Sequence, residues 1–236
     1  MPEKFSASRA ARHMACHASA DLPAAIPNWI EPERIVGGAA DQGTAVHDLL
    51  EQAVQLSASD MGHLINILEY MRELRSRRRF KVLTEVTIKA TWLKTEPETT
   101  VDVVLYTQDE IHVIDYKWGK IHVEVKDNDQ LMFYSASFAH LAPKAKGVTQ
   151  HILQPRADNM ESVFVTATEL GVWMDQARAT EAAIQGGSLT FGPSDHCTFC
   201  PAYPHSRGAK GKPLCPATMQ MLYPSHVDED AILDLI

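Results

Sequence analysis

Two aspartates and a lysine lie on neighbouring apolar segments of this chain. Asp102 is in the segment 100–106, and Asp115 is in the segment 111–118 with Lys117 two residues further on. Because side chains alternate along a strand, Asp115 and Lys117 are expected on the same side of one strand. Buried charges are costly unless they are paired or hold a metal, and carboxylate oxygens suit Mg²⁺ or Mn²⁺. The spacing predicts either a metal-dependent phosphodiesterase site, with Lys117 orienting water or neutralising transition-state charge, or an exposed ion pair.

Further polar residues flank this set. His47 lies on a predicted helix before the sheet and offers an imidazole to a metal, and Glu51 follows one helical turn later. Gln130 and Tyr134 are four residues apart, so they share one helix face and are expected to hold the scissile phosphate or the lysine. Glu85 is interpreted as either a further ligand or an exposed strand residue. Each of these residues taken alone is ordinary; the ordered combination is not.

The four cysteines indicate a second ligand set. Cys197 and Cys200 form a C-x-x-C pair, Cys215 follows, and Cys16 stands alone near the N-terminus. In a reducing compartment such thiols are more often ligands than disulfides. Four thiolates can hold a [4Fe–4S] cluster, whereas the three C-terminal cysteines can hold zinc with His196 or His205. Either site would be structural, because a complete thiolate shell leaves no open position for substrate.

The elements that must position these residues follow from periodicity. The first helix is expected to open at Ser6 or Ser8, which are good N-cap types. The order of elements predicts an α/β protein with a restriction-endonuclease-like core, in which helices flank a central mixed sheet, and with a Cys-rich C-terminal cap. The expected divisions are an N-terminal helix and loop (1–42), the core (43–186), and the cap with its tail (187–236). Helices are predicted over 5–20, 43–56, 60–77, 127–141 and 167–185, and strands over 82–92, 100–106, 111–118, 147–154 and 163–165.

Composition limits the class of protein. The chain has 236 residues, and its 22 basic and 30 acidic side chains give a net charge of −8, which excludes a histone-like binder. No apolar stretch is long enough for a membrane helix, and the N-terminus lacks the apolar core of a signal peptide. These features predict a soluble, cytoplasmic protein.

Three charged segments have open interpretations. The segment 72–81 holds six basic residues and one acidic residue, which suits either DNA-backbone contact or the dipole at a helix C-terminus. The basic loop 207–212 lacks the spacing of a phosphate-binding P-loop. The tail 228–236 is acidic and then apolar, and is either a final helix packed on the core or a partner-docking peptide.

The ordered series within residues 43–154 resembles the RecB-like branch of the PD-(D/E)xK nuclease superfamily. The resemblance implies that His47, Asp102 and Asp115 bind divalent metals with the backbone carbonyl of Tyr116, and that Lys117 serves catalysis. Gln130 and Tyr134 match the trailing helix motif of the branch. One departure is the Thr-Val pair before Asp102, where the family often has a small residue. The motifs that carry the resemblance are Gly43-x-x-x-His47, Asp102, Asp115-Tyr116-Lys117 and Gln130-x-x-x-Tyr134.

The cysteine pattern is similar to the iron–sulfur subclass of this branch, which includes the nuclease of CRISPR adaptation. The similarity places Cys16 as the first ligand and favours [4Fe–4S], although the long gap between Cys200 and Cys215 keeps zinc open. The resemblance implies a metal-dependent DNA exonuclease in phage or bacterial recombination, repair or replication, acting on DNA ends in the cytoplasm. Expected partners are DNA and a recombination, replication or single-strand-binding protein. The alternative is a nonenzymatic DNA-binding module with a structural metal site.

Overall fold

The computed structural model describes residues 4–26, 29, 58–194, 196–197, 200–202, 215 and 217. Outside the described residues therefore lie the predicted helix 43–56 with His47 and Glu51, His205, the loop 207–212 and the tail 228–236. The chain divides into two compact units. The first unit is Met1–Arg34, Leu93–Pro97 and Met174–Ile236, and the second is Ile35–Trp92 and Glu98–Trp173.

Five helices are described, and short 3₁₀ turns accompany several of them. Near the N-terminus, 3₁₀ turns at Ala7–Arg9 and His17–Ala20 flank the first helix. Further 3₁₀ turns follow the fourth helix, at Ala139–Leu141, and the fourth strand, at Pro155–Ala157. The α-helices are α1 (Ala10–Ala15), α2 (Leu22–Ala25), α3 (Ala58–Arg77), α4 (Asp129–Phe138) and α5 (Ala167–Gln185).

The second unit contains a five-stranded mixed sheet in the order β1-β2-β3-β4-β5. Strands β1, β2 and β3 form an antiparallel meander, β3 and β4 are parallel, and β4 and β5 are antiparallel. Helix α4 supplies the crossover that the parallel pair requires. The strands are β1 (Lys81–Lys89), β2 (Glu98–Tyr106), β3 (Ile111–Tyr116), β4 (Gly147–Gln154) and β5 (Asn159–Thr166).

Helices α3 and α4 cover opposite faces of this sheet, as two successive residues of β4 show. The Gln150 side chain donates to Ser135 of α4 at 2.9 Å, whereas His151 is hydrogen-bonded to Tyr70 of α3 at 2.8 Å. Because successive strand residues point to opposite faces, the two helices must lie on opposite sides. The α3 face is filled by Ile67, Leu74, Val103, Leu105, Ile114 and Leu153.

The predicted α/β class with a mixed sheet is confirmed, and some boundaries differ. The segment 5–20 is a short helix between two 3₁₀ turns, and Ser6 makes no side-chain capping bond. Strand β1 ends at Lys89, before a turn. Strand β5 is longer than 163–165, because all eight of its residues pair with β4. Helix α4 is shorter than 127–141, because Asn128 caps it and a 3₁₀ turn follows it.

Candidate functional site

The two aspartates predicted as metal ligands lie side by side in the second unit. The antiparallel register pairs Val103 with Ile114, so Asp102 and Asp115 are the next opposed residues and share one face of the sheet. The backbone N–H of Tyr116 donates to Asp102 Oδ2 at 2.5 Å, which fixes that carboxylate against the end of β3. Asp115 is buried, with 3% exposure.

Lys117 joins this pair to the helix that follows. Its Nζ lies 2.8 Å from Asp115 Oδ2 and donates to Gln130 Oε1 at 2.9 Å. The Gln130 amide nitrogen in turn donates to the Tyr134 hydroxyl at 2.8 Å. The Lys117 side chain is only 26% exposed, so its position in this chain of contacts is constrained. The structure therefore brings together Asp115, Lys117, Gln130 and Tyr134. Gln130 accepts the hydrogen bond of the lysine.

The local sequence explains why Gln130 is available there. The Asn128 side chain accepts from the backbone N–H groups of Gln130 and Leu131, both at 3.1 Å, which begins α4 at this point. The helix is also fixed by Trp173, whose indole N–H donates to Asp129 Oδ1 at 2.7 Å. Gln130 thus lies in the first turn and Tyr134 one turn later on the same face.

Glu85 adds a third carboxylate on the neighbouring strand. The register of β1 with β2 places Glu85 opposite Asp102, between the Thr84–Val103 and Val86–Val101 pairs. Its backbone has φ 46°, a left-handed conformation that is uncommon for a glutamate but that Glu96, Asp127 and Asp158 share. Its place opposite Asp102 is the reason to treat Glu85 as a candidate member of the site.

The charge of these carboxylates affects two tyrosines. Burial raises the pKa of the Tyr134 phenol, and the negative charges of Asp115, Asp102 and Glu85 raise it further despite the hydrogen bond from Gln130. Burial also raises the pKa of Tyr116, with Asp102 and Glu85 adding to the effect. Both phenols therefore stay protonated at neutral pH, and Tyr134 acts as a hydrogen-bonding group rather than a base.

In the first unit, the four cysteines line one pocket. Cys16, Cys197, Cys200 and Cys215 all border it, together with His196. Burial raises the pKa of the Cys200 thiol, and the nearby Cys215 and Cys16 add to this effect, whereas a backbone hydrogen bond at Ala202 and the charge of Arg12 oppose it. The backbone N–H of Ser194 donates to Cys197 Sγ at 3.4 Å. Tertiary structure thus brings Cys16 close to the three C-terminal cysteines.

The approach of these two segments depends on close backbone packing. The backbone N–H of Ala18 donates to the Thr190 carbonyl at 3.1 Å, and His17 is hydrogen-bonded to Ser188. At Gly192, an added Cβ would lie only 1.7 Å from the Ala15 carbonyl oxygen. Only glycine therefore permits the contact beside Cys16.

The sequence reasoning missed one group of metal-type ligands. One donor atom each from His122, Glu124 and Glu161 lies within 4.8 Å of the others, all three side chains being exposed. It is the only such group of three among the described residues. The His-x-Glu spacing of the first two was a visible signal, but Glu161 comes from β5 and only the sheet brings it near.

The basic residues of the segment 72–81 make different contacts in the structure. Arg77 pairs with Glu73 at 2.6 Å, and Arg78 pairs with Asp109 and Glu110 on the β2–β3 turn. Arg72 and Arg75 instead line an open groove beside α3. The run is therefore not one uniform phosphate-binding surface.

No helix in the described part of the chain is both long and apolar enough to cross a membrane. Among solved structures, one titled "Crystal structure of SSO0001" is similar, with 14% sequence identity and a TM-score of 0.36 over 76% of this chain and 81% of that chain. A likeness of that degree carries no argument about function. The family model described as "Protein of unknown function (DUF2800)" matches residues 61–236, well over half of the sequence, and the chain therefore belongs to the DUF2800 family.

Proposed function

We propose that this protein is a divalent-metal-dependent deoxyribonuclease that hydrolyses phosphodiester bonds at DNA ends. The observation that supports this proposal is the convergence of Asp102, Asp115 and Lys117 from neighbouring strands, with Lys117 bonded to Gln130 of α4. Asp115 is buried and Asp102 is partly buried, and placing carboxylates out of water beside an ammonium is costly to maintain without a function. The ordered resemblance to RecB-like nucleases points to the same chemistry.

The donor set fits a hard cation. Asp102 and Asp115 supply oxygen ligands on one face of the sheet, and Glu85 supplies a third on the adjacent strand. A bound Mg²⁺ or Mn²⁺ would polarise the phosphate and lower the pKa of a coordinated water. The predicted imidazole ligand, His47, lies outside the described residues and stays a prediction, as does the Tyr116 carbonyl.

The chain's own groups have distinct roles in this proposal. The Lys117 ammonium, held by Asp115 and Gln130, stabilises negative charge that develops on the phosphate oxygens. The Gln130 amide oxygen accepts from Lys117, and its amide nitrogen donates to the Tyr134 hydroxyl. Helix α4 thereby holds the ammonium in a defined position. Tyr134 keeps its proton and contributes through hydrogen bonding alone.

Cleavage of end-labelled DNA in Mn²⁺ or Mg²⁺ tests the proposal. We expect Asp115→Asn and Lys117→Met to reduce the cleavage rate by at least a hundredfold while the circular dichroism spectrum stays unchanged. The matched controls are Asp109→Asn and Lys144→Met. Asp109 is an exposed aspartate on the β2–β3 turn, and Lys144 is an exposed lysine. Wild-type rates in both site variants would overturn the proposal.

A circular single-stranded substrate separates exonuclease from endonuclease action. An enzyme that requires ends degrades the linear form and leaves the circle intact. Metal-independent binding of both forms, without any cleavage, would instead identify the alternative, a nonenzymatic DNA-binding module.

We also propose that the cysteine pocket holds a [4Fe–4S] cluster. Four thiols border one pocket, which matches the ligand count of such a cluster. Zinc held by Cys197, Cys200, Cys215 and a histidine would leave Cys16, the fourth thiol of this pocket, outside the ligand set. The four-thiol lining therefore favours a cluster over a single zinc ion.

Metal analysis of anaerobically purified protein tests the cluster. We expect a brown protein with about four iron atoms per chain, and loss of the iron in Cys16→Ser. A colourless protein with one zinc per chain, unchanged in Cys16→Ser, would show that Cys197, Cys200 and Cys215 bind zinc with a histidine instead.

A further inference from the structure

A groove of about 550 Å³ lies between α3 and the sheet in the second unit, and neither the proposed nuclease site nor the cysteine pocket uses it. Its volume falls in the range of ligand and peptide pockets. Its lining combines aliphatic side chains with two arginines. The main lining residues are Leu68, Met71, Arg72, Arg75, Val82 and Val103.

The groove and the carboxylates lie back to back across the sheet. Val103 lines the groove and directly follows Asp102, and Tyr116 lines it and directly follows Asp115. Because successive strand residues point to opposite faces, the groove is on the α3 face and the two aspartates are on the α4 face. An occupant of the groove would therefore leave the DNA site accessible.

The surface of the groove is apolar and positively charged. Leu68 is 62% exposed and Val82 is 37% exposed, so both present aliphatic surface to solvent. Arg72 and Arg75 are exposed and have no acidic partner within 4 Å among the described residues, whereas Arg77 and Arg78 are paired. Two guanidinium groups that have no ion-pair partner among the described residues, beside aliphatic surface, favour an anionic and apolar occupant.

We propose that this groove docks an acidic, aliphatic peptide segment of a partner protein. Carboxylates of the peptide pair with Arg72 and Arg75, and its aliphatic side chains cover Leu68, Met71 and Val82. Nucleic acid suits the arginines less well than a peptide does, since bases are bound chiefly by aromatic stacking and the exposed apolar surface here is aliphatic, with Tyr116 only partly exposed. The proposal does not depend on the nuclease assignment, because the groove is on the other face of the sheet.

A peptide of the required chemistry can be taken from the chain itself. Residues 228–236 carry four carboxylate side chains together with Ile232, Leu233, Leu235 and Ile236. We expect a fluorescein-labelled peptide of this sequence to bind the full-length protein saturably in a fluorescence polarisation titration. Binding should weaken with added salt, because exposed charge pairs are screened. A peptide with the four aliphatic residues replaced by serine should not bind.

Variants on α3 locate the binding surface. We expect Leu68→Ser, and the double variant Arg72→Glu with Arg75→Glu, each to weaken peptide binding at least tenfold while DNA cleavage stays at the wild-type rate. The controls are Ile65→Ser and Arg77→Glu, which change exposed residues of the same helix that do not line the groove.

Three results would overturn the proposal. The first is an absence of saturable peptide binding, and the second is equal loss of binding in groove and control variants. The third is displacement of the peptide by a single-stranded oligonucleotide together with reduced DNA cleavage by the arginine variant, which would assign Arg72 and Arg75 to the DNA backbone. Loss of cleavage in Asp115→Asn with peptide binding intact would separate the two proposals.

Discussion

A chain of hydrogen bonds under α3 makes the stability of the second unit depend on pH. The Tyr70 hydroxyl is 2.8 Å from His151 Nδ1, and His151 Nε2 is 2.9 Å from His112 Nδ1. His112 Nε2 is 2.9 Å from Glu110, which also pairs with Arg78. With both imidazoles neutral, each ring has one donor and one acceptor, and every bond is satisfied when donation runs from Tyr70 to Glu110.

Within this network, the pKa of His151 has the largest shift that can be given a value. This pKa is lowered from 6.5 to about 3, chiefly by burial and in addition by the charges of His112 and Arg77. Between those two values the unfolded chain binds a proton that the folded protein does not, so stability is complete above about pH 6.5 and falls as pH falls. At pH 5, which is 1.5 units below 6.5, the loss is about 2 kcal/mol.

Urea denaturation at about pH 7.5 and pH 5 measures this loss. His151→Gln removes the titrating ring and destabilises the protein at both values, because it removes the hydrogen bonds of His151 to Tyr70 and His112. The difference in the free energy of unfolding between wild type and His151→Gln should be about 2 kcal/mol larger at pH 7.5 than at pH 5. Fluorescence of Trp92, Trp118 and Trp173 reports on the second unit.

The control for this measurement is His140→Gln, which changes an exposed histidine of the same unit. Its difference from wild type measures what a histidine-to-glutamine change outside this network contributes at each pH. Burial raises the pKa of Glu110, but the hydrogen bonds from His112 and Arg78 outweigh it and lower the pKa overall. Protonation of Glu110 therefore affects the free energy of unfolding only at more acidic pH. A wild-type to His151→Gln difference that is the same at both pH values would refute the argument that His151 stays neutral.

Two further predictions concern the candidate sites. Gln130→Ala should lower the maximal cleavage rate ten- to hundredfold with little change in KM, because a hydrogen bond to a charged group contributes about 1.5–3 kcal/mol; an unchanged rate would show that Lys117 needs no support from α4. Gly192→Ala should remove iron from the purified protein, because its Cβ would lie 1.7 Å from the Ala15 carbonyl. The control Gly62→Ala, which meets nothing within 4 Å, should keep the iron.

Much of the core could be predicted because local signals there agree with tertiary structure. Strand β4 and helix α5 have the predicted bounds, since alternation in one and helical spacing in the other continue without interruption. Asp102 and Asp115 could be placed on adjacent strands because a short turn at 107–110 joins them. Gln130 and Tyr134 could be placed on one face by their spacing alone.

Other features depend on contacts that no local pattern encodes. The left-handed backbone conformation of Glu85 occurs within a sequence that otherwise alternates like any strand. The division of the basic run between ion pairs and the groove depends on where Asp109 and Glu110 lie after folding. The group of His122, Glu124 and Glu161 exists only because β5 returns beside β4.

By itself, the sequence determined the types of the five strands and of helices α3, α4 and α5, the adjacency of the two acidic strands and the shared face of Gln130 and Tyr134. Those properties follow from periodicity and short connections, which operate over a few residues. Only tertiary structure decided that Gln130 holds Lys117, that Cys16 reaches the late cysteines, and that a groove lies behind the aspartates. These contacts join residues far apart in the chain, and their partners are selected by packing of whole elements rather than by local preference.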